Sequence, residues 1–585
     1  MGRASSSVYR RRRAVLVAGV AAIAGSITLL TTCGGESEQL RAARAYVAAW
    51  ERGDVAAMRA LLTADARRRV TAAALRDRLR TAAETATASG PVRALAFTES
   101  DDEVRVRLRV PTRAFGVVRA TTALEVDDGA VVWGEQLAFP GLRAGEQLRA
   151  ETELPPRAAL LAADGGVLAD GPERTPDASL ADVAAETVGM VGDPGDARRA
   201  ALRAAGVPAD AQLGVNGLER ALDDRLRGQA GGRLYAGRRL LARRAPQPAP
   251  AVRTTIDPAV VRAAAAALGG RTGGAVAVDP RDGAVLGYSG TPFSGLGPPG
   301  STFKVVTLVA ALEAGIATER STYPYEQQAL LDGAPLQNAD RELCGGTLVE
   351  SFAHSCNSVF APFGAQLGMA RLARTAERFG FDRAADVPGA ATSTVPAATG
   401  HEDALSLGST AIGQGDVQAS ALQMTAVTTA IARDGLRPTL TVDAAVAARA
   451  AAARPAALPR ATSAAVADVV QEAMRATVDV GTGGAAAIDG VEVAGKTGTA
   501  ELGVTQTCPV VEEPDPDAEP CEDEDDPTDT DAWFTGYAPA GADETPRAVV
   551  TVVLTQGGTG GGDAAPAARE LLVAALARDD GTAGM

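Results

Sequence analysis

The sequence predicts a multidomain α+β protein, and three observations carry that reading. Its 585 residues suffice for three or four cores. A composition of 46% hydrophobic and 22% charged residues is that of a globular chain. Finally, helical periodicity is followed by strand alternation near the start, while in the second half strand blocks stand at both ends of a helical middle.

At the N-terminus, Arg3 and Arg10 to Arg13 precede a 17-residue run from Ala14 to Leu30 that is apolar except for Ser26 and Thr28. This reads as an export signal over 1–35, somewhat short of the roughly 20 residues of a comfortable span but tolerable as an uncleaved anchor. Leu30-Thr31-Thr32-Cys33 resembles a bacterial lipoprotein cleavage box, with Thr32 where Gly, Ala or Ser is preferred. Cys33 is therefore a lipidation candidate. Lipid anchor and single span both remain open, and both place the bulk of the chain on the outer face of the cytoplasmic membrane.

Residues 36–150 begin with helical spacing (Leu40, Tyr46, Val47, Trp50, then Met58, Leu61, Leu62) and continue in strict alternation at "VRVRLRV", followed by "VVRATTALEV" and "AVVWGEQLAF" as further strands. Residues 151–250 mix short strands, Pro and Gly with an amphipathic segment, "GLERALDDRLRG", and end in "RRAPQPAPAV". This is a connecting or pedestal domain of the dimerisation type. From 251 to 585, "GGAVAVDPRDGAVLGYSG" predicts two strands around an Asp-Gly turn, a helical middle runs to about 480, and strands return in "VEVAGKTGTAEL", "AWFTGYAP" and "RAVVTVVLTQGG" before a last helix. One antiparallel sheet built from distant strands and flanked by helices follows.

The net charge of −15 arises mostly from twelve acidic residues between Glu512 and Asp531. The acidity is local, and no basic face points to nucleic acid. That run lacks the glycine-turn ligand spacing of a calcium loop and reads as a solvated loop. "GGTGGGD" has no following lysine and is no phosphate loop. His354 and His401 are the only histidines, too few for a His-rich metal site, and a Ser-His-Asp triad has little material; His354 reads as packing or supporting its neighbours. No metal and no cofactor are expected. Five cysteines are odd for an exported protein; with Cys33 set aside, Cys344 with Cys356 and Cys508 with Cys521 form two locally spaced disulfide candidates.

Of 57 basic residues only two are lysines, Lys304 and Lys496. Arginine stays protonated in a protein, whereas a desolvated lysine can act as a base near neutral pH. Lys304 stands three residues after Ser301, ahead of a run that is apolar on all sides, so a helix starting near Ser301 would bring hydroxyl and amine together in a dry place. The blander reading is an N-cap serine followed by a snorkelling lysine. Downstream come "HSCNSVF", with Ser355 and Asn357, and "GKTGTAE", with Lys496.

The order S-x-x-K, S-x-N, K-T-G resembles the signature of penicillin-binding proteins and serine β-lactamases. "TTIDPAVVRAA", "GGAVAVDPRDGAVL", "PPGSTFKVVTLVAALEAG", "IGQGDVQASALQMTAVTTAIARDG", "GVEVAGKTGTAE" and "AWFTGYAP" extend the resemblance to class B transpeptidase domains over about residues 253–580. "WGEQLAFPGLRAGEQL" and the domain before it resemble the cone-like, nuclear-transport-factor-2-like N-terminal domain of the methicillin-resistance-type subgroup, while Ala158 and Ala163-Asp164-Gly165 depart from the family's usual pedestal pattern.

The resemblance implies D,D-transpeptidation of peptidoglycan stem peptides and acylation by β-lactams. Ser301 would be the nucleophile and Lys304 its base, with an oxyanion hole from the backbone N–H groups of Ser301 and Thr499. Gly498 would leave room for a substrate strand. Lys496 with the hydroxyls of Thr497 and Thr499 would hold a carboxylate, Ser355 would relay a proton, and Asn357 would bind a substrate amide and hold Lys304. A β-lactamase and a non-catalytic β-lactam sensor or scaffold are the rivals. No E-x-x-L-N segment of the class A deacylating type is present, and every catalytic position is filled. The first domain is too short to be a glycosyltransferase, so that activity would belong to a separate partner.

Overall fold

The computed structural model describes residues 36–101, 103–452, 458–501 and 530–580. The segment bearing Cys33 and the acidic insertion bearing Cys508 and Cys521 lie outside the described residues. Among the described residues no helix is long and apolar enough to cross a membrane. The chain divides into two compact units, one of residues 1–153, 197–209 and 230–246, the other of residues 154–196, 210–229 and 247–585. The segment 151–250 is thus shared between them.

In the first unit, α1 (Glu38–Arg52) starts at Ser37, whose hydroxyl accepts from Leu40 N–H, and stops at Gly53 in the left-handed conformation. Its inward face buries Tyr46, Val47 and Trp50. α2 (Ala72–Thr85) is capped by Thr71 in the same way. Strands β1 (Arg93–Glu99), β2 (Val104–Thr112) and β3 (Gly116–Leu124) form an antiparallel sheet. In β2 the valines and Leu108 face the core while the arginines face water, as the alternation requires. A second antiparallel sheet joins β4 (Leu148–Glu153), β5 (Gly231–Ala236) and β6 (Arg239–Arg244), with β5 in the middle. The expected strand "AVVWGEQLAF" does not form as one: only Ala130–Val131 pairs, and Glu135–Ala138 turns into a 3₁₀ helix. Trp133 and Leu137, both buried, are four residues apart, a helical spacing.

The second unit contains the long-range sheet. Asp257 caps α3 (Pro258–Leu268), with its proline at the first helical position. There follow β7 (Gly273–Asp279), β8 (Ala284–Gly290), α4 (Lys304–Glu313), α5 (Leu348–Ala353), α6 (Asn357–Leu367), α7 (Ala421–Ala432), α8 (Ala464–Asp479), β9 (Ala494–Glu501), β10 (Thr530–Ala538), β11 (Ala548–Leu554) and α9 (Ala565–Asp580). The sheet order is β8-β7-β11-β10-β9 and every pairing is antiparallel. α3 and α9 cover one face, against Ala275, Phe534 and Val552; α4, α7 and α8 belong to the core on the other, with Val276, Trp533 and Val549. Apolar residues on both faces explain why β7 is buried along its whole length.

The expected helical middle is interrupted. Between Thr322 and Thr347 the chain makes four short strands, of which Gln328–Leu331 and Ala334–Gln337 form a hairpin. Its turn residues Asp332 and Gly333 have φ of 50° and 81°, the demand of a two-residue primed turn that an Asp-Gly pair meets.

Candidate active site

Pro298 and Pro299 delay the helix, and Gly300–Phe303 coils first as a 3₁₀ turn before α4 begins at Lys304. In a 3₁₀ turn side chains three apart eclipse, so Ser301 and Lys304 share one face. Ser301 makes no N-cap bond and is half-buried, whereas Lys304 is fully buried. Neither the capping nor the snorkelling reading survives. Gly300 (φ 51°) lies so close to β9 that a Cβ there would stand 2.7 Å from the Thr499 carbonyl oxygen.

The Lys304 amine donates to the Ser355 carbonyl at 2.6 Å and the Asn357 carboxamide oxygen at 2.6 Å, and lies 3.2 Å from the Ser355 hydroxyl. The first two partners can only accept. A neutral amine satisfies both with its two N–H groups and keeps its lone pair for a hydroxyl. Burial, and then the charge of Lys496, hold the Lys304 pKa well below the usual lysine value. The Phe360 ring lies 5.6 Å from its nitrogen.

Ser355 adopts φ 61°, left-handed for a non-glycine residue, between the end of α5 and the start of α6. Two constraints hold it there: Cys356 N–H bonds to Ser351 O at 2.9 Å, and Cys356 is disulfide-bonded to Cys344. Asn357 opens α6 and anchors its other end by donating to Gln337 O at 2.6 Å, which ties the Asp332-Gly333 hairpin to the site. His354 is exposed, contrary to the packing reading. It is the C-cap of α5, and its N–H bonds back to Glu350 O at 2.9 Å.

Lys496 lies on β9, an outermost strand of the sheet, paired with Thr535. It is fully buried, 5.5 Å from the Phe352 ring, and donates to Thr497 O at 3.1 Å; burial lowers its pKa to about 7. Successive strand residues leave a sheet on opposite faces, so Lys496 and the hydroxyls of Thr497 and Thr499 approach the strand edge from opposite sides. Thr497 Oγ1 is 2.5 Å from Thr482 Oγ1, and Thr499 Oγ1 accepts from Gly560 N–H at 3.3 Å. The Thr499 carbonyl faces Gly300, and in an extended strand the N–H of a residue points the same way as its C=O. The Thr499 N–H is thereby turned toward the serine turn. A Cβ at Gly498 would come within 2.8 Å of Pro299 O, so the close approach of the serine turn itself requires this glycine.

Hydrogen bonds therefore bring together Lys304, Ser355 and Asn357, the turn adds Ser301, and β9 adds Lys496 to Thr499. Thr482 was not expected here. It bonds to Ala353 O through both N–H and hydroxyl and to Thr497, linking α5 to β9. Its signal in the sequence, "VGTGG", is a loop without a chemical signature.

The penicillin binding protein transpeptidase domain family matches residues 273–573 of this chain. The chain belongs to that family. Its matched region carries Ser301, Lys304, Ser355, Asn357 and the Lys496 strand. The peptidoglycan D,D-transpeptidase PbpA of Mycolicibacterium smegmatis is 33% identical over 300 residues, which are 48% of this chain and 55% of that protein. The chain thus spans about half the length of that relative. Among solved structures, the D,D-transpeptidase domain of a peptidoglycan glycosyltransferase from Eggerthella lenta is 28% identical with a TM-score of 0.53, covering 72% of this chain and 98% of that one. The penicillin G acyl-enzyme complex of penicillin-binding protein A from M. tuberculosis is 26% identical with a TM-score of 0.51, covering 72% and 99%.

Proposed function

We propose that this penicillin-binding protein is a class B peptidoglycan D,D-transpeptidase that works through a Ser301 acyl-enzyme. The observation that carries the reading is the fully buried Lys304, held by two pure acceptors one turn after Ser301. Ser301 Oγ attacks the carbonyl of the penultimate residue of a stem peptide and gives its proton to the Lys304 amine. The N–H groups of Ser301 and Thr499 hold the oxyanion. The terminal residue leaves as an amine, protonated through Ser355, and its carboxylate rests against charged Lys496 at the edge of β9. The amine of a second stem peptide then attacks the ester, and the proton path runs in reverse to restore Ser301. A β-lactam follows the first half of this route and leaves a penicilloyl ester.

The first unit fits a nuclear-transport-factor-2-like domain of the methicillin-resistance-type subgroup, and residues 151–250 a pedestal. The chain is held on the outer face of the cytoplasmic membrane by its N-terminus, by a lipid on Cys33 or by a single span. Glycan polymerisation comes from a separate glycosyltransferase. The test is incubation of purified protein with lipid-linked glycan strands. Cross-linked peptides that vanish in Ser301→Ala support the reading; trimmed but unlinked peptides would make the chain a carboxypeptidase. Rapid release of a fluorescent penicillin adduct would make it a β-lactamase.

A further inference from the structure

A cavity of about 410 Å³ opens in the second unit among the β7–β8 turn, the C-terminal end of α7, the side of α8 and the β10–β11 connection. None of the catalytic candidates lines it. Three guanidinium groups do, and their partners differ. Arg281 is paired with Asp279 at 2.6 Å, and Arg475 with Glu492 at 3.3 Å. Arg433 has no carboxylate within ion-pair distance among the described residues. Its Nη1 donates to the carbonyls of Pro280 and Arg281, which fixes the guanidinium, while its Nε is buried without a partner. Burial works against the charge, and the nearby Asp279, Asp282 and Asp434 only partly compensate.

Tyr537 lines the same cavity. The residue is 2% exposed; its hydroxyl hydrogen-bonds no group among the described residues, and its oxygen is not sealed from solvent. The charge of Arg475 acts on that hydroxyl, and those of Asp434 and Glu492 act on it in the opposite sense. A pre-fixed guanidinium with no carboxylate in ion-pair contact and an accessible hydroxyl donor therefore share one cavity whose size suits a small molecule. The wall also carries Asp434 and Glu544, so a doubly charged anion would meet repulsion where a singly charged one would not. The remaining lining, including Leu436 and Pro546, offers apolar contact.

We propose that this cavity is a second ligand site, separate from the serine site, that takes a monocarboxylate with a small apolar body between Arg433 and the Tyr537 hydroxyl. The carboxylate can belong to a free small acid or to the end of a peptide chain. This assignment does not depend on the reaction at Ser301.

Saturation-transfer NMR on the whole chain tests it, with benzoate and N-acetylalanylleucine as probes and their amides, benzamide and N-acetylalanylleucinamide, as neutral controls. The acids should bind roughly tenfold or more tightly than the amides. Tyr537→Phe, which removes one oxygen and keeps the ring, should weaken binding severalfold, and Arg433→Gln should abolish it. An unchanged melting curve for Tyr537→Phe shows that the fold is kept. Tighter binding of the dipeptide assigns the site to a chain end, and tighter binding of benzoate to a free acid. The proposal is overturned if acid and amide bind alike, if Tyr537→Phe binds as the wild type does, if binding is lost with Lys496→Ala instead, or if no probe binds at any soluble concentration.

Discussion

Lys304 is enclosed by groups that leave it little choice of role. Two acceptors use two of its hydrogens, burial disfavours its charge, and Ser301 stands on the same face of the turn. Lys304→Arg should therefore lower the rate of acylation by a β-lactam by ~10²- to 10⁴-fold, because a guanidinium cannot take the serine proton. Lys496→Arg should keep more activity, since a carboxylate is held by charge. In the proposed mechanism the two lysines also set the pH profile. Lys304 acts neutral, so the acylation rate falls as pH drops through its depressed pKa. Lys496 acts charged, so the rate falls again as pH rises through about 7. The profile should be bell-shaped, and Lys496→Arg should remove its alkaline limb; stopped-flow rates with a chromogenic β-lactam read both. That Ser301, Lys304, Ser355, Asn357 and Lys496 would be brought together was legible in the sequence, because the proposed chemistry admits few residue types at fixed spacing. Thr482 was not, since its hydroxyl acquires a role only when the loop after α8 folds back on Thr497.

At the scale of elements, the site depends on short joints. Ser355 keeps its left-handed backbone between two helices, and the Cys344–Cys356 disulfide fixes the residue next to it. A link across twelve residues contributes on the order of 3 kcal/mol through the unfolded chain. Cys356→Ser, or reduction, should slow acylation measurably, and by more than Cys521→Ser, because only the first change frees the Ser355 segment; penicillin labelling rates compare them. A second joint lies farther off. Arg157 bonds Glu219 at 2.5 Å and Asp223 at 2.8 Å, both carboxylates 1% exposed. Arg157→Ala should destabilise the chain in denaturant unfolding by less than the roughly 3–5 kcal/mol of a stranded buried charge, because Arg174 still pairs with Glu219 and Arg227 with Asp223. This cluster was invisible beforehand, because charge pairing sixty residues apart leaves no local pattern. The Asp332-Gly333 hairpin was visible in principle, but its second strand contains Pro335, which weakens the alternation signal.

At the scale of the whole molecule, the catalytic sheet joins strands from residue 273 to residue 554, and β11 lies between β7 and β10. That the strands at the two ends of the region make one sheet was legible from their alternation, although their order was not, because pairing partners so distant carry no mark of adjacency. Such non-local pairing makes the domain indivisible. A chain cut after residue 545 loses β11 and α9 and should neither give a cooperative melt nor form a penicillin adduct, although every catalytic side chain is still present. The proposed central property, a nucleophilic Ser301 served by Lys304, is tested most directly by intact mass and peptide mapping after exposure to benzylpenicillin. One penicilloyl adduct on the Ser301 peptide, absent in Ser301→Ala and formed far more slowly in Lys304→Arg, is the expected result. An adduct on another residue, or one that persists in Ser301→Ala, would contradict it.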